Sequence, residues 1–289
     1  DVKILAGCAP CQPFSRHQKD KKDRSKHKDW KLLYQFGRLV DEVKPHIVSM
    51  ENVPELENEK VFSDFVGTLT RLGYNVTYKV VNAADYGVPQ RRKRLLLLAS
   101  KKKKISFIQP THQQPVTVRE AIGNLPPIGA GENNAIDRLH ITSSLSALNL
   151  QRIQHSMPGG SWHDWPDNLV LNCHKKEKGH TYTSVYGRMC WEDVAPTITT
   201  QFTGYGTGRF GHPEQDRALT LREGAIIQTF PEDYSFLPPN EKIIIKDVSR
   251  QIGNAVPPRL GEIIGLSILK HYQKRKYVKK NDANKLAGE

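Results

Sequence analysis

The chain has 289 residues, 37% hydrophobic and 25% charged, which suits one compact unit or two lobes with a real core and excludes global disorder. Its four cysteines are too few for a disulfide scaffold, no signal-peptide pattern opens it, and no apolar run approaches the roughly 20 residues of a membrane helix, so an intracellular protein without a membrane partner is expected. A net charge of +13 points to a polyanionic partner: nucleic acid leads, and an anionic membrane surface trails because no basic amphipathic helix stands out.

VKILA (2–6) reads as a buried strand, and Trp30, Leu33, Tyr34, Leu39, Val40 and Val43 have helical spacing until Pro45. HIVSMENV (46–53) is a second strand. Phe62, Phe65, Val66, Leu69 and Leu72 form the apolar face of a further helix stopped by Gly73, and VTYKVVNA and RLLLLAS (94–100) are strands. Strands alternating with helices predict an α/β sheet with ligand-binding loops at the strand ends. From about 108 to 248 periodic helices mostly vanish, and runs such as PPIGAGENN and QFTGYGTGRFGHP predict an irregular, inserted lobe. Within it Thr220 and Glu223 form a capping box ahead of GAIIQTF. QIGNAVPP reads as a turn at Gly253 and a helix start at the paired prolines, with Leu260, Ile263, Ile264 and Ile268 as a core face. The expected organisation is a catalytic domain over 1–107, a recognition lobe over 108–248, a helix returning to the first domain over 249–275, and a basic tail over 276–289.

GCAPCQPFS (7–15) holds the first chemistry. A zinc site needs a second ligand pair, which the spacing of Cys173 and Cys190 does not supply, so no metal is expected. Taken alone, Cys-x-x-Cys leaves a redox pair and a single nucleophile close to even, with an inert buried cysteine third. Basic runs lie at 16–31, 101–104 and 274–280; the plain reading of the last two is a solvated face, whereas the first adjoins the cysteines and could grip a phosphate backbone.

In chain order, GCAPCQPFS, MENVPEL (50–56), QRRKR (90–94), RALTLREGAIIQTFPEDY (217–234) and QIGNAVPP (251–258) resemble the motifs of the DNA cytosine-5 methyltransferases of bacterial restriction-modification type. The resemblance covers nearly the whole chain outside the lobe and the last 20 or so residues. It implies a Rossmann-like, S-adenosylmethionine-dependent methyltransferase sheet, a target cytosine flipped out of double-stranded DNA, and a cytoplasmic, DNA-associated protein.

The residue chemistry agrees. Cytosine C5 is a poor nucleophile until a thiolate adds to C6, and Cys11 takes that role, leaving Cys8 as a packing residue. Charge built up on the ring needs an acid at N3, for which Glu51 is suited; alone it would read as a carboxylate at a strand end. Gln90, Arg92 and Arg94 fall at period two, so an extended segment would project them from one face toward the base, with a solvated basic turn as the plain alternative. The resemblance adds Arg92 and Arg94 to the catalytic set, Pro10, Leu32, Asn254 and Val256 to the methyl-donor pocket, and Gln12, Ser15, Asn52, Gln90, Thr197 and Arg209 to the DNA contacts. Residues 191–213 are the expected groove-reading surface, with Thr197 and Ile198 as the Thr-plus-aliphatic pair of such lobes.

The family's opening Phe-x-Gly-x-Gly loop and acidic strand end do not precede the nucleophile motif in this sequence. The sheet is therefore expected to be N-terminally incomplete, either as a partial copy or with a separate N-terminal polypeptide completing the donor site. Two alternatives stand beside the enzyme: a non-catalytic DNA-binding subunit, and a CxxC thiol oxidoreductase, which needs both Cys8 and Cys11.

Overall fold

The computed structural model describes residues 1–10, 29–176 and 179–286, with side chains as far as 273. It divides into two compact units, Asp1–Asn82 with Lys93–Pro110 and Gly261–Glu289, and Ala83–Arg92 with Thr111–Leu260. Residues 83–92 and 249–260, placed with the catalytic domain from the sequence, thus group with the second unit.

The first unit is built on a mixed sheet of β1 (Ile4–Gly7), β2 (Ile47–Asn52), β3 (Asn75–Asn82) and β4 (Lys93–Ser100) in the order β1-β2-β4-β3. Strands β1 and β2 are parallel, while β4 runs antiparallel to both of its neighbours. Helices α1 (Leu32–Val43) and α2 (Lys60–Arg71) cover one face. There Leu33, Phe36, Val40, Phe62, Phe65 and Leu69 pack with Val48, Met50, Leu95 and Leu97 from the strands. Each residue of that strand set lies two apart from its fellow, as the pleat requires.

Two sequence expectations change here. β1 is not buried: Val2 and Ile4 are 47% and 50% exposed, because β1 pairs only with β2 among the described strands. On α1 the buried stripe is Leu33, Phe36, Gly37 and Val40, the spacing of one helix face, so Tyr34, Leu39 and Val43 fall on the exposed side. Tyr34 instead donates to Asp64 on α2 at 2.6 Å.

The second unit has little regular structure: α3 (Val118–Ile122), α4 (Ala147–His155), α5 (Leu221–Ile227) and α6 (Ile245–Asn254). Its core gathers Val118, Ile122, Ile198, Phe202, Phe210, Leu219, Ile227, Val248 and Ile252. The capping box of Thr220 and Glu223 forms as the sequence predicts. Gly253 belongs to the last turn of α6 and not to a tight turn, and a Cβ there would lie 2.4 Å from the Thr199 carbonyl, so glycine is required by close backbone approach. Helix α7 (Pro258–Leu286) starts at the paired prolines, with Leu260, Ile263 and Ile268 buried and Ile264 half-buried.

Candidate active site

Glu51 and Asn52 end β2, which is buried along its whole length. Glu51 opposes Leu96 on β4, so Arg94, two residues earlier on β4, projects from the same face as Glu51. The Arg94 Nε lies 2.9 Å from Glu51 Oε1, with both side chains close to nine-tenths buried. The contact is an ion pair, and Oε1 accepts no hydrogen bond from the described residues. A buried carboxylate oxygen therefore has a cation alongside and capacity left for a ligand.

Asn52 is buried and both ends of its carboxamide are engaged. Nδ2 donates to the Ala9 carbonyl at 2.8 Å, and Oδ1 accepts from the Val53 amide at 2.9 Å. Assigned from the sequence to DNA contact, Asn52 is here a positioning residue for the segment that leads to Pro10. Gly7, at the end of β1, assists: a Cβ there would stand 2.6 Å from the Phe36 ring, so glycine lets the strand end pass close over α1. Cys8, expected to pack, is exposed. Cys11, Gln12 and Ser15, with most of the basic run 16–31, lie outside the described residues.

The period-two expectation for QRRKR holds only in part. Gln90 is fully buried in the second unit, where Nε2 donates to the Ile227 carbonyl and Gln228 Oε1 and Oε1 accepts from the Ile198 amide. Every polar atom is satisfied internally, so Gln90 presents nothing to DNA in this structure. The buried Arg92 guanidinium donates to the carbonyls of Ile198 at 3.1 Å and Ala255 at 3.2 Å. It thereby ties together the two segments that carry Thr197 on one side and Asn254 and Val256 on the other. Arg92 is thus a positioning residue, whereas Arg94 lies against Glu51. Gln228, not singled out from the sequence, joins the same network by donating to the carbonyls of Ile252 and Ala255. A glutamine inside the apolar run GAIIQTF was the available signal.

Of the four expected donor-pocket residues, Pro10 and Leu32 are exposed in the first unit, and in the second Asn254 is exposed and Val256 half-buried. The Asn254 side chain, at the end of α6, makes no hydrogen bond to another described residue, so its amide keeps its hydrogen-bonding capacity. Thr197 Oγ1 donates to the Arg91 carbonyl at 2.5 Å. Arg209, half-buried, is fastened to the carbonyls of Gly159, Gly160, Arg188 and Thr183, so it ties these loops together. In 191–213 Ile198, Phe202, Tyr205, Phe210 and His212 are buried, so much of the expected reading surface is core.

Beneath it lies a polar network. Arg217 and Glu223 make a two-pronged pair at 2.8 and 2.7 Å with neither side chain exposed, and Glu223 also accepts from the Thr220 amide. His212 Nε2 stands 3.7 Å from Glu223, while its Nδ1 accepts the amides of Glu214 and Gln215. Burial, opposed only in part by Glu223, lowers the His212 pKa to about 4. The Glu223 carboxyl is held below its ordinary value by Arg217 and His212 in spite of its burial. Among the described residues no cluster of His, Cys, Asp and Glu is placed to hold a metal, and no helix is long and apolar enough to cross a membrane.

The mixed α/β sheet, with its buried Glu-Arg pair at a strand end, is consistent with a methyltransferase fold. Residues 1–270 match the model of the C-5 cytosine-specific DNA methylases, and the chain belongs to that family. It is 53% identical over 271 residues to the Type II methylase M.HgiDII of Herpetosiphon aurantiacus, covering 92% of this chain and 75% of that protein. With the Type II methyltransferase M1.HphI of Haemophilus parahaemolyticus it shares 35% identity, covering 93% of this chain and 68% of the relative. The structure of the Entamoeba histolytica methyltransferase EhMeth superposes with a TM-score of 0.61 at 16% identity, over 93% of this chain and 78% of that one, which establishes the shared fold. Neither the family match nor these relatives support a separate N-terminal polypeptide as a partner.

Proposed function

We propose that this protein transfers a methyl group from S-adenosylmethionine to C5 of a cytosine flipped out of duplex DNA, through a covalent bond between Cys11 and C6. The carrying observation is the nearly buried Glu51 beside Arg94, whose neighbour Asn52 holds the Ala9 carbonyl two residues before Cys11. The Cys11 thiolate adds to C6, and Glu51 gives a proton or a strong hydrogen bond to N3, so the ring electrons collect at C5 and not on the ring nitrogen. Arg94 offers guanidinium donors to the base carbonyl and holds the Glu51 side chain in place. C5 then takes the methyl group, a base removes the C5 proton, and re-formation of the C5–C6 double bond expels the Cys11 sulfur. S-adenosylmethionine supplies the electrophilic methyl, and Pro10, Leu32, Asn254 and Val256 are the residues we assign to hold it. Reading of the DNA sequence falls to exposed polar side chains of the second unit, for which the exposed His180, Tyr182 and Thr183 are better suited than the internally bonded Gln90, Thr197 and Arg209.

The test is covalent trapping. Duplex DNA carrying 5-fluorocytosine at the methylated position has no C5 proton to lose, so the protein should form a denaturation-resistant adduct with it in the presence of the methyl donor. The Cys11→Ser protein should form none and the Cys8→Ala protein should form it normally. DNA binding without any adduct would instead make the protein a non-catalytic binding subunit, and loss of function on changing Cys8 would restore the dithiol reading.

A further inference from the structure

The sheet end remote from Glu51 carries a second concentration of charge. β4 runs out at Ser100 into Lys101, Lys102, Lys103 and Lys104, all exposed, and β1 and β2 are entered through the exposed Lys3 and Lys44. Backbone bonds draw these segments together: the Lys101 amide donates to the His46 carbonyl at 3.2 Å, and the His46 amide to the Lys3 carbonyl at 2.9 Å. Asn75 donates to the Lys102 carbonyl at 3.3 Å, and the buried Tyr74 hydroxyl to the Pro45 carbonyl at 2.5 Å. The Lys101 ammonium is fixed over the Tyr74 ring, 4.3 Å from its centre. The lysine run is therefore part of a braced platform fed by several strand ends, not an isolated solvated loop. The acidic groups nearest in sequence are Asp1, Asp41 and Glu42, and Glu42 already pairs with Arg38. At about 3.3 Å per strand residue, this end lies about 17 Å along β2 from Glu51, too far for its ammonium groups to take part in the chemistry there.

We propose that this platform is a second binding surface for duplex DNA, gripping backbone phosphates without reading bases. Lysine ammonium groups are point charges suited to phosphate and carry no base-edge code, so contact here adds affinity independent of sequence. Tyr74 is buried beneath Lys101, and the exposed His46 ring is tied by its Nδ1 to the Lys3 amide at 2.9 Å, so among the described residues the surface offers ammonium groups and not the row of rings on which single strands stack. The polyanion is named as DNA on the strength of the methyltransferase reading. Its use is to hold the protein on long DNA between sites, a task the catalytic residues do not perform.

The experiment compares the protein with K102Q/K103Q/K104Q and with the charge-preserving K102R/K103R/K104R; Lys101 is left intact because it braces the fold. Binding to a long duplex without a methylation site is measured against salt. The glutamine variant should bind several-fold more weakly, with a log–log salt slope shallower by about 2 to 3, while the arginine variant keeps the slope of the unaltered protein. On a short duplex covering only the methylation site, the glutamine variant should methylate at the normal rate, with a normal melting temperature. An unchanged slope in the glutamine variant, or an equal loss in the arginine variant, would overturn the proposal. Preferential binding of RNA or of an acidic protein at this end, with duplex binding unaltered, would overturn it too. Absence of methylation by the unaltered protein, with the salt effect intact, would count against the methyltransferase reading and not against this surface.

Discussion

Arg94 approaches Glu51 to 2.9 Å from an adjacent strand, yet the contact leaves Glu51 Oε1 without a hydrogen bond from the described residues. A carboxylate needed only for structure would be expected to have its oxygens satisfied at such burial. This arrangement suits one waiting for a substrate proton site. Glu51→Gln keeps the shape and removes the acid, so methyl transfer should fall by about 10²- to 10⁴-fold while duplex affinity changes little. Arg94→Lys should not restore what Arg94→Ala loses, because a planar fork beside a carboxylate is not replaced by a point charge. Single-turnover rates with labelled methyl donor measure both, and a normal rate in the Glu51→Gln protein would remove Glu51 from the mechanism.

Asn52 acts one step back from the chemistry. Asn52→Ala breaks the bonds to the Ala9 carbonyl and the Val53 amide, at a cost of about 1–3 kcal/mol in stability. A larger effect is expected on the nucleophile's segment. Adduct formation with 5-fluorocytosine DNA should slow by more than the stability loss explains, and the KM for the methyl donor should stay near normal. If adduct formation keeps its normal rate, the latch is structural only.

The sequence makes the strands and the apolar faces of α2 and α7 legible because hydrophobic period reports burial directly, and the Thr220–Glu223 cap because its chemistry is local. It does not separate Arg92 from Arg94: both are arginines at alternate positions, and only the tertiary fold sends one to the carbonyls of Ile198 and Ala255 and the other to Glu51. Helix α6 is legible and is missed for a local reason. Ile245, Val248 and Ile252 stand at i, i+3 and i+7, a helical stripe that packs into the core, but Gly253 next to the paired prolines reads as a turn until Thr199 is seen against it. VKILA by itself does not reveal the exposure of β1, since a strand's own residues do not say how many neighbours it has; the expectation of an incomplete sheet is what points to it.

The Arg217–Glu223 pair carries a large and asymmetric stability effect. Arg217→Met leaves a fully buried carboxylate without its cation and should destabilise the second unit by about 3–5 kcal/mol. Replacing both together, Arg217→Met with Glu223→Leu, removes the stranded charge and should recover part of that loss, though the Thr220 amide then has no cap. Urea denaturation of the single and double variants closes the cycle. Additive losses would show that the pair is not coupled.

His212 makes the same unit sensitive to acid. Its Nδ1 already accepts two backbone amides and its ring is buried, so the folded protein resists protonation until about pH 4, whereas an unfolded chain takes up the proton near the ordinary value of 6.5. A folded-state pKa below the unfolded one means full stability above pH 6.5 and progressive loss as the pH falls toward 4. The whole effect is worth about 3 kcal/mol, of which about 2 kcal/mol is lost between pH 7.5 and 5. The depressed carboxyl of Glu223 acts in the same direction, but only below the ordinary carboxylate range. His212→Asn keeps an acceptor near the Glu214 and Gln215 amides and cannot titrate. Whatever its absolute stability, this variant should therefore show a flatter dependence of the urea midpoint on pH across this window. If the His212→Asn protein keeps the slope of the unaltered one, the acid sensitivity lies elsewhere.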